Sequence, residues 1–362
     1  MGVLSALAIL AGLVVIHEAG HFLAATLQGI RVSSFSIGFG PALLQRRVRG
    51  VQFALRAIPL GGFVSFPDDD DDSPIAADDP DLLRNRPLRQ RALVIAAGVL
   101  ANLLLAWLVL LAQGLSLGIP AGFSARAGVV VSGVQPGLAA AVAGLQTGDR
   151  IVALDGSSLG GGQSAVGLLV NQIRSAPGHT LALQVNRQGR ELELRLTPAE
   201  QAGIGRIGAQ LQPNGTEVFR PARGPLEVIH QASADWSQLL RRTIEGFTTL
   251  ITHFGSTASQ ISGPVKIVEM GASLARQDSG SLFAFAALIS INLAVLNALP
   301  LPLLDGGQFV LLLLEGLRGR PLSERFQMAF MQSGFVFLVG LSLVLIVKDT
   351  SQLAVVQQLL GR

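Results

Sequence analysis

The chain has 362 residues, of which 49% are hydrophobic and only 14% charged. That balance indicates an integral membrane protein joined to a soluble part. A net charge of +3 gives no basis for nucleic-acid binding, and the absence of cysteine excludes disulfides and thiolate metal sites.

Residues 3–27, VLSALAILAGLVVIHEAGHFLAATL, contain no basic side chain. A bilayer-spanning helix needs about 20 mostly apolar residues, so this stretch is long enough. It lacks the basic start of a signal peptide and exceeds the length of a signal peptide's apolar region. Within it stand His17, Glu18 and His21, the pattern H-E-x-x-H. On a helix the two histidines lie one turn apart on one face. Both imidazoles can then reach one zinc ion, with Glu18 beside it to take a proton from water. Ionisable groups at membrane depth are costly unless paired, so the three read as a site rather than as stray polar residues.

Residues 30–66 are rich in glycine and β-branched or aromatic residues and lack helical period. They read as strands, Val51–Ile58 and Gly61–Phe66, with Pro59 between. Extended apolar backbone at membrane depth must be covered by protein or face water. A hairpin lying on the membrane surface is the alternative. Residues 68–81 hold eight aspartates, a solvated acidic loop by their mutual repulsion. Four arginines, 84 to 91, lead into a second membrane helix, residues 92–112. Asn102 inside it reads as a helix–helix hydrogen bond rather than a site residue.

Residues 113–281 contain no further spanning segment. From about 125 to 199 the pattern is that of one compact β-rich domain. Strands are expected at Gly128–Val134 and Arg150–Leu154, and helices at Leu138–Leu145 and Gln163–Ser175. A hairpin, His179–Asn186 with Arg190–Leu196, closes it. This order and the phrase AGLQTGDRIVALDG resemble a bacterial PDZ domain. PDZ domains bind an extended peptide or a C-terminus by adding a strand to a sheet edge. The carboxylate-binding loop is expected near Arg126–Val129; a PDZ-like fold serving only as a steric plug is the alternative. Residues 222–278 read as amphipathic helices interrupted at Ser262-Gly263-Pro264. His230 and His253 stand alone there and read as surface or core residues.

Residues 282–304 form a third membrane segment, ending at Pro300 and Pro302 before Asp305-Gly306-Gly307. Phe326–Val347 is the fourth, after the basic turn Arg318-Gly319-Arg320. Arginine excess in 28–91 and 315–325 places both on the cytoplasmic side, and so the termini and the soluble domain outside. A catalytic zinc needs a third protein ligand and an open position. Asp305 is the best candidate, being the one acid near membrane depth outside the first helix. His17 lies roughly 21 Å along a helix begun at residue 3, a depth compatible with Asp305. An ordinary Asp-Gly-Gly turn at a helix C-terminus is the competing reading.

HEAGH in the first helix, IGFGPAL, IPLGGFVSF, AAGVLAN, SGPVKI and SINLAVLNALPLPLLDGGQF together resemble the bacterial site-2 proteases, intramembrane zinc metalloproteases of regulated intramembrane proteolysis. The resemblance spans nearly the whole chain. It implies His17, His21 and Asp305 as ligands of Zn2+ and Glu18 as catalytic base. It also implies Asn292 and Asn297 beside the site, with Asn297 helping to hold unwound substrate. The hairpin 51–66, through Gly61, Gly62 and Phe63, would pair with substrate as an added strand. Implied partners are single-pass membrane proteins such as anti-sigma factors, a peptide or C-terminus at the PDZ-like domain, and the lipid bilayer of the bacterial inner membrane. One PDZ-like domain stands where the best-known enterobacterial members have two. Gln308 replaces a histidine that some members carry and that is not a ligand.

The expected fold is therefore a mainly α membrane protein with four transmembrane helices, a membrane-associated β-hairpin and an inserted extracytoplasmic PDZ-like α+β domain. Its parts are 1–112 with the β-loop 30–66, the PDZ-like domain 120–200, an amphipathic connector 201–281, and 282–362 with the Asp-Gly-Gly motif. Rival readings are a non-catalytic PDZ-bearing membrane scaffold, a protease taking Glu245 or Glu269 as third ligand, and a zinc transporter.

Overall fold

The structure is a computed structural model. It describes residues 2–69, 75–76, 78–135, 137–201, 203–253, 263–274 and 279–351. Most of the aspartate run and the helix break at Ser262 fall outside these residues. The chain divides into two compact units. The first comprises the chain up to Ser116 together with Ala222–Thr350, and the second is Leu117–Pro221.

The first unit is helical. Helix α1 is Gly2–Leu27 and α2 is Leu88–Ser116. After the second unit come α5 (Pro225–Thr252), α6 (Pro264–Leu274), α7 (Ser279–Asn297), α8 (Asp305–Arg318) and α9 (Glu324–Ser351). Among the described residues, four helices, α1, α2, α7 and α9, are long and apolar enough to cross a membrane. The third ends at Asn297, seven residues short of the expected 304. Pro300 and Pro302 cannot extend a helix, and their restraint on the preceding residue stops it early. Asp305 therefore opens a separate helix, α8, instead of closing the third span.

Small residues let these helices approach closely. Ala106 and Leu110 of α2, Ala232 of α5, and Ala287 and Ile291 of α7 form one buried cluster. Trp236 Nε1 of α5 donates to the Leu103 carbonyl at 2.9 Å, and Ser290 Oγ of α7 donates to the Asn102 carbonyl at 2.8 Å. Two elements, α5 and α7, are thus pinned to the same turn of α2.

The segment after α1 forms two long strands, β1 (Ser34–Val48) and β2 (Val51–Ser65). Arg49 and Gly50, both at positive φ, make the turn between them. Strand β2 continues through Pro59 rather than breaking there. Ser34–Ile37 pairs with Gln52–Leu55 and also with Gly62–Ser65, so β2 bends around β1. Gly61, at φ 107, absorbs part of that bend. Phe22 of α1 meets Phe35 and Phe53 at 5.5 and 5.7 Å between ring centroids. Val64 and Phe66 pack with Ala25 and Val94, which holds the end of β2 against α1 and α2.

The second unit is built on a sheet of order β10-β3-β4-β6-β7, with β5 beside β4. Its strands are β3 (Ile119–Val134), β4 (Arg150–Leu154), β5 (Ser157–Ser158), β6 (Leu181–Arg187), β7 (Arg190–Leu196) and β10 (Ala209–Arg220). Short strands β8 (Ala199–Gln201) and β9 (Ile204–Arg206) pair separately. Helix α3 is Ala139–Val142 and α4 is Gly162–Ser175. Ala165, Leu169 and Ile173, at helical spacing on α4, join Val129, Val131, Ile151, Leu183 and Val185 in one core. Gln188 and Gly189, at φ 53 and 90, turn the β6–β7 hairpin.

Two expectations change here. The stretch after residue 200, expected as connector, carries β10, which pairs with β3 over most of its length. Arg126–Val129 is not a loop. It lies inside β3, where Val129 pairs with Ile151 on one side and Pro213 on the other. Val129 therefore has no free edge. The edge strand on that side of the sheet is β10, entered through Gly203 and Gly208 at positive φ.

Candidate metal centre

Helix α1 presents His17, Glu18 and His21 to one cavity of about 370 Å³ within the first unit. Phe63, Val64 and Phe66 of the hairpin segment, Asn297 at the end of α7 and Asp305 at the start of α8 line the same cavity. His17 is 7% exposed.

The three donor atoms form an equilateral triangle. His17 Nε2 and His21 Nε2 are 3.4 Å apart, and each is 3.4 Å from Asp305 Oδ2. Asp305 Oδ2 is buried with no hydrogen-bond partner among the described residues. Zinc bonds to N and O donors run about 2.0–2.1 Å, and tetrahedral angles then separate neighbouring ligand atoms by about 3.3–3.4 Å. The triangle thus has the edge length that three ligand atoms of a tetrahedral zinc site would have. Among the described residues this is the one group of three or more His, Cys, Asp or Glu side chains spaced to hold a metal. Glu269 instead pairs with Lys266 at 2.9 Å on α6.

Helix α2 forms the floor of this arrangement. Val94, Gly98 and Asn102 recur at every fourth position and face the two histidines. His21 Nδ1 donates to the Val94 carbonyl at 2.8 Å. A Cβ on Gly98 would lie 2.3 Å from His21 Nε2 and 2.7 Å from His17 Cε1. Asn102 is fully buried, and its amide nitrogen stands 3.2 Å from His17 Nδ1. Asn102 makes the helix–helix hydrogen bond expected of it, and its partner across the helices is a histidine of the candidate site. Its polarity at membrane depth was the available signal. On α1, a Cβ at Gly20 would lie 2.5 Å from the Ala97 carbonyl oxygen, so glycine permits the close α1–α2 approach.

Asp305 is aimed by the segment before it. The chain after Asn297 folds back through Leu303, at φ 69. A Cβ on Gly306 would meet the Ala298 and Leu299 carbonyl oxygens at 2.3 Å, and one on Gly307 the Leu301 oxygen at 2.0 Å. Asp-Gly-Gly is therefore a helix N-terminus packed under its own preceding turn, not a C-terminal turn. An acidic residue is favoured in the first turn of a helix. At the far end of α8, Glu315 accepts two hydrogen bonds from Arg91 of α2, at 2.7 and 3.2 Å.

The other expected residues divide. Asn297 reaches the site, its Nδ2 lying 3.3 Å from His17 Nε2. Asn292 does not line the cavity. Its Oδ1 accepts from Thr243 Oγ1 at 3.1 Å, and it borders a separate groove with Arg242 and Phe247. Gly62 abuts the base: a Cβ there would stand 3.3 Å from Glu18 Cγ and 2.9 Å from the Ser36 carbonyl oxygen. Phe63 stacks on Phe39 with Arg56 over its ring, and Gly61 leaves room for the Phe39 ring.

A profile of peptidase family M50 matches residues 5–341. This chain belongs to peptidase family M50. A Nostoc sp. relative named a zinc metalloprotease is 48% identical over 355 residues, covering 98% of this chain and 97% of its own. The chloroplastic membrane metalloprotease ARASP of Arabidopsis thaliana is 43% identical over 363 residues, 99% of this chain and 80% of its own. The regulator of sigma-E protease RseP of Escherichia coli is 31% identical over 439 residues, 94% of this chain and 96% of its own. Among solved structures, a PDZ domain of an SdrC-like protein from Listeria innocua is similar to 23% of this chain and 92% of its own, at 25% identity and a TM-score of 0.21. The family expected from the motifs is the family found. The M50 chain is a metalloprotease and a membrane protein.

Proposed function

We propose that this M50 chain is an intramembrane zinc protease that cuts a peptide bond within the membrane segment of a single-pass protein. The observation that carries this reading is the triangle of His17 Nε2, His21 Nε2 and Asp305 Oδ2, with Glu18 on the same cavity. These residues fit zinc by donor type, by spacing and by the otherwise unpartnered buried Asp305 oxygen. Zinc held there would supply Lewis-acid polarisation of the scissile carbonyl and acidify water for attack.

The remaining steps belong to the chain's own groups. Glu18 takes the proton from the attacking water on its carboxylate and returns it to the leaving nitrogen. Gly62–Ser65 pairs with β1 on one side only among the described residues, and Phe63 and Val64 line the cavity. An unwound substrate strand added to the other side would run past Glu18, with main-chain hydrogen bonds holding its register. Gly61, Gly62 and Phe63 are the contacts proposed for it. Asn297, within hydrogen-bond reach of the site, donates its amide to a substrate carbonyl.

We assign the arginine-rich segments 28–91 and 315–325 to the cytoplasmic side of a bacterial inner membrane, and Leu117–Pro221 to the outside. The latter is read as a PDZ-like domain that takes a peptide or C-terminus at the β10 edge beside α4. Substrates of the class implied are anti-sigma factors already trimmed outside.

Zinc content per chain of detergent-purified protein tests the core of this reading. About one zinc in wild type, lost in both His17→Ala and Asp305→Ala, supports it. Zinc lost only with His17→Ala removes Asp305 from the ligand set. No zinc in any of the three, after metal-replete expression, moves the reading to a scaffold.

A further inference from the structure

We propose that Asn102 is a positioning residue that accepts a hydrogen bond from His17 Nδ1 and so turns the Nε2 lone pair toward the metal. This rests on the metal reading above. A neutral imidazole has one nitrogen that donates and one that accepts. Two asparagine amide nitrogens flank the His17 ring, Asn102 at Nδ1 (3.2 Å) and Asn297 at Nε2 (3.3 Å). Both cannot donate to one neutral ring. One of the two amides must present its oxygen.

The triangle decides which. His17 Nε2 faces His21 Nε2 and Asp305 Oδ2 at 3.4 Å each, so it is the nitrogen that points at the metal position. A ligand nitrogen carries no proton. Nδ1 therefore carries it, and the group beside Nδ1 must accept. The Asn102 amide can meet that need by a half-turn, which places Oδ1 where Nδ2 stands. Amide oxygen and nitrogen are nearly alike in size, so the half-turn costs no packing and the hydrogen bond chooses. At present Oδ1 is buried without a partner among the described residues.

The neighbouring histidine shows the same logic without ambiguity. His21 Nδ1 meets the Val94 carbonyl, which can only accept, at 2.8 Å. Val94 and Asn102 lie two turns apart on α2, and His17 and His21 one turn apart on α1. The two acceptors thus bracket the histidine pair from one helix face. The peptide of Asn102 is itself fixed, because Ser290 Oγ donates to its carbonyl at 2.8 Å and Trp236 Nε1 to the next one at 2.9 Å. A side-chain acceptor carried on a backbone fixed in this way sets both the tautomer and the plane of a ligand ring, as outer partners of metal-bound histidines generally do.

Zinc affinity of the detergent-purified full chain, by competition with a chelator of known affinity, tests the role. Asn102→Leu keeps the volume and removes the acceptor, and a 10–100-fold loss of zinc affinity is expected. Asn102→Asp keeps an acceptor and restores affinity to the wild-type level or above. A merely structural asparagine would not show that rescue. Equal loss in both variants, or wild-type affinity in Asn102→Leu, overturns the proposal. Should Asn102→Leu fail to fold, nitrogen chemical shifts of labelled histidines in zinc-free wild type decide. A proton on His17 Nδ1 is expected, and a bare Nδ1 overturns it. Zinc bound by wild type but indifferent to Asn102 sinks only this inference, whereas no zinc in wild type sinks the metal reading beneath it.

Discussion

Glu18 and Gly98 carry the sharpest expectations at the scale of single residues. Glu18 lines the cavity beside the donor triangle without contributing a ligand atom to it. Glu18→Gln should abolish cleavage of a membrane-segment substrate and leave zinc per chain at the wild-type level. Cleavage retained by that variant would remove Glu18 from the chemistry. Gly98 is the opposite case, a residue with no chemistry that makes room for it. Alanine is the better helix former by about 1 kcal/mol, so Gly98→Ala on propensity alone would stabilise α2. Its methyl would fall on both imidazoles. Zinc affinity should drop at least about tenfold, the scale seen when outer partners of a ligand are disturbed. H-E-x-x-H was legible in the sequence because it is local, two proposed ligands and a proposed base within one helical turn. Gly98 left no mark in the sequence and Asn102 showed only as a polar group in an apolar run, because their contacts with the histidines exist only where a second helix touches the first.

At the scale of elements, the placement of Asp305, the proposed third ligand, depends on how α8 is held. Its N-terminus sits under the turn that follows α7, and its C-terminal end is tied to α2 through Arg91 and Glu315. Gly306→Ala would press a methyl on two carbonyl oxygens and displace Asp305. Zinc bound per chain should fall although no ligand is changed. Arg91→Ala cuts the other tie and leaves the half-buried Glu315 carboxylate without its two charge-assisted hydrogen bonds. A loss of about 1.5–3 kcal/mol is expected from such bonds, read as a lower melting temperature in detergent. The sequence marked Asp305 through its neighbours, two prolines before and two glycines after. It did not reveal that the third span stops at Asn297, since an apolar run through Leu304 has the composition of a span. Proline geometry, not hydropathy, ends the helix.

At the scale of the molecule, two units have separate cores. The second is a sheet with α4 across it, closed by Asp149. That carboxylate, 1% exposed, accepts from Arg187 Nε at 2.7 Å, Arg187 Nη2 at 2.8 Å and the Gln146 amide at 2.8 Å. Arg187 also donates to the Gly144 carbonyl at 2.6 Å, and its partner Asp149 raises its already high pKa further. Arg187→Ala should destabilise this unit by about 2–3 kcal/mol, the scale for hydrogen bonds to a charged group. Zinc content should stay at the wild-type level, because none of the proposed ligands lies in Leu117–Pro221. A loss of zinc in that variant would show that the site depends on the second unit's stability.

By itself the sequence determined the four apolar helices, the hairpin segment and the β-rich insertion, and it singled out His17, Glu18, His21 and Asp305 as candidates. Each is written in short-range terms: a long apolar run, a period of two, a spacing of four, a proline pair before an acid. Tertiary structure alone decided the rest. It brought Asp305 within 3.4 Å of two histidines nearly three hundred residues earlier. It laid the Gly62–Ser65 segment along the cavity, turned Asn292 toward Thr243 instead of the site, and put β10 at the sheet edge in place of Arg126–Val129. Those outcomes depend on which surfaces meet, and pairing between distant segments leaves no periodic mark on either segment alone.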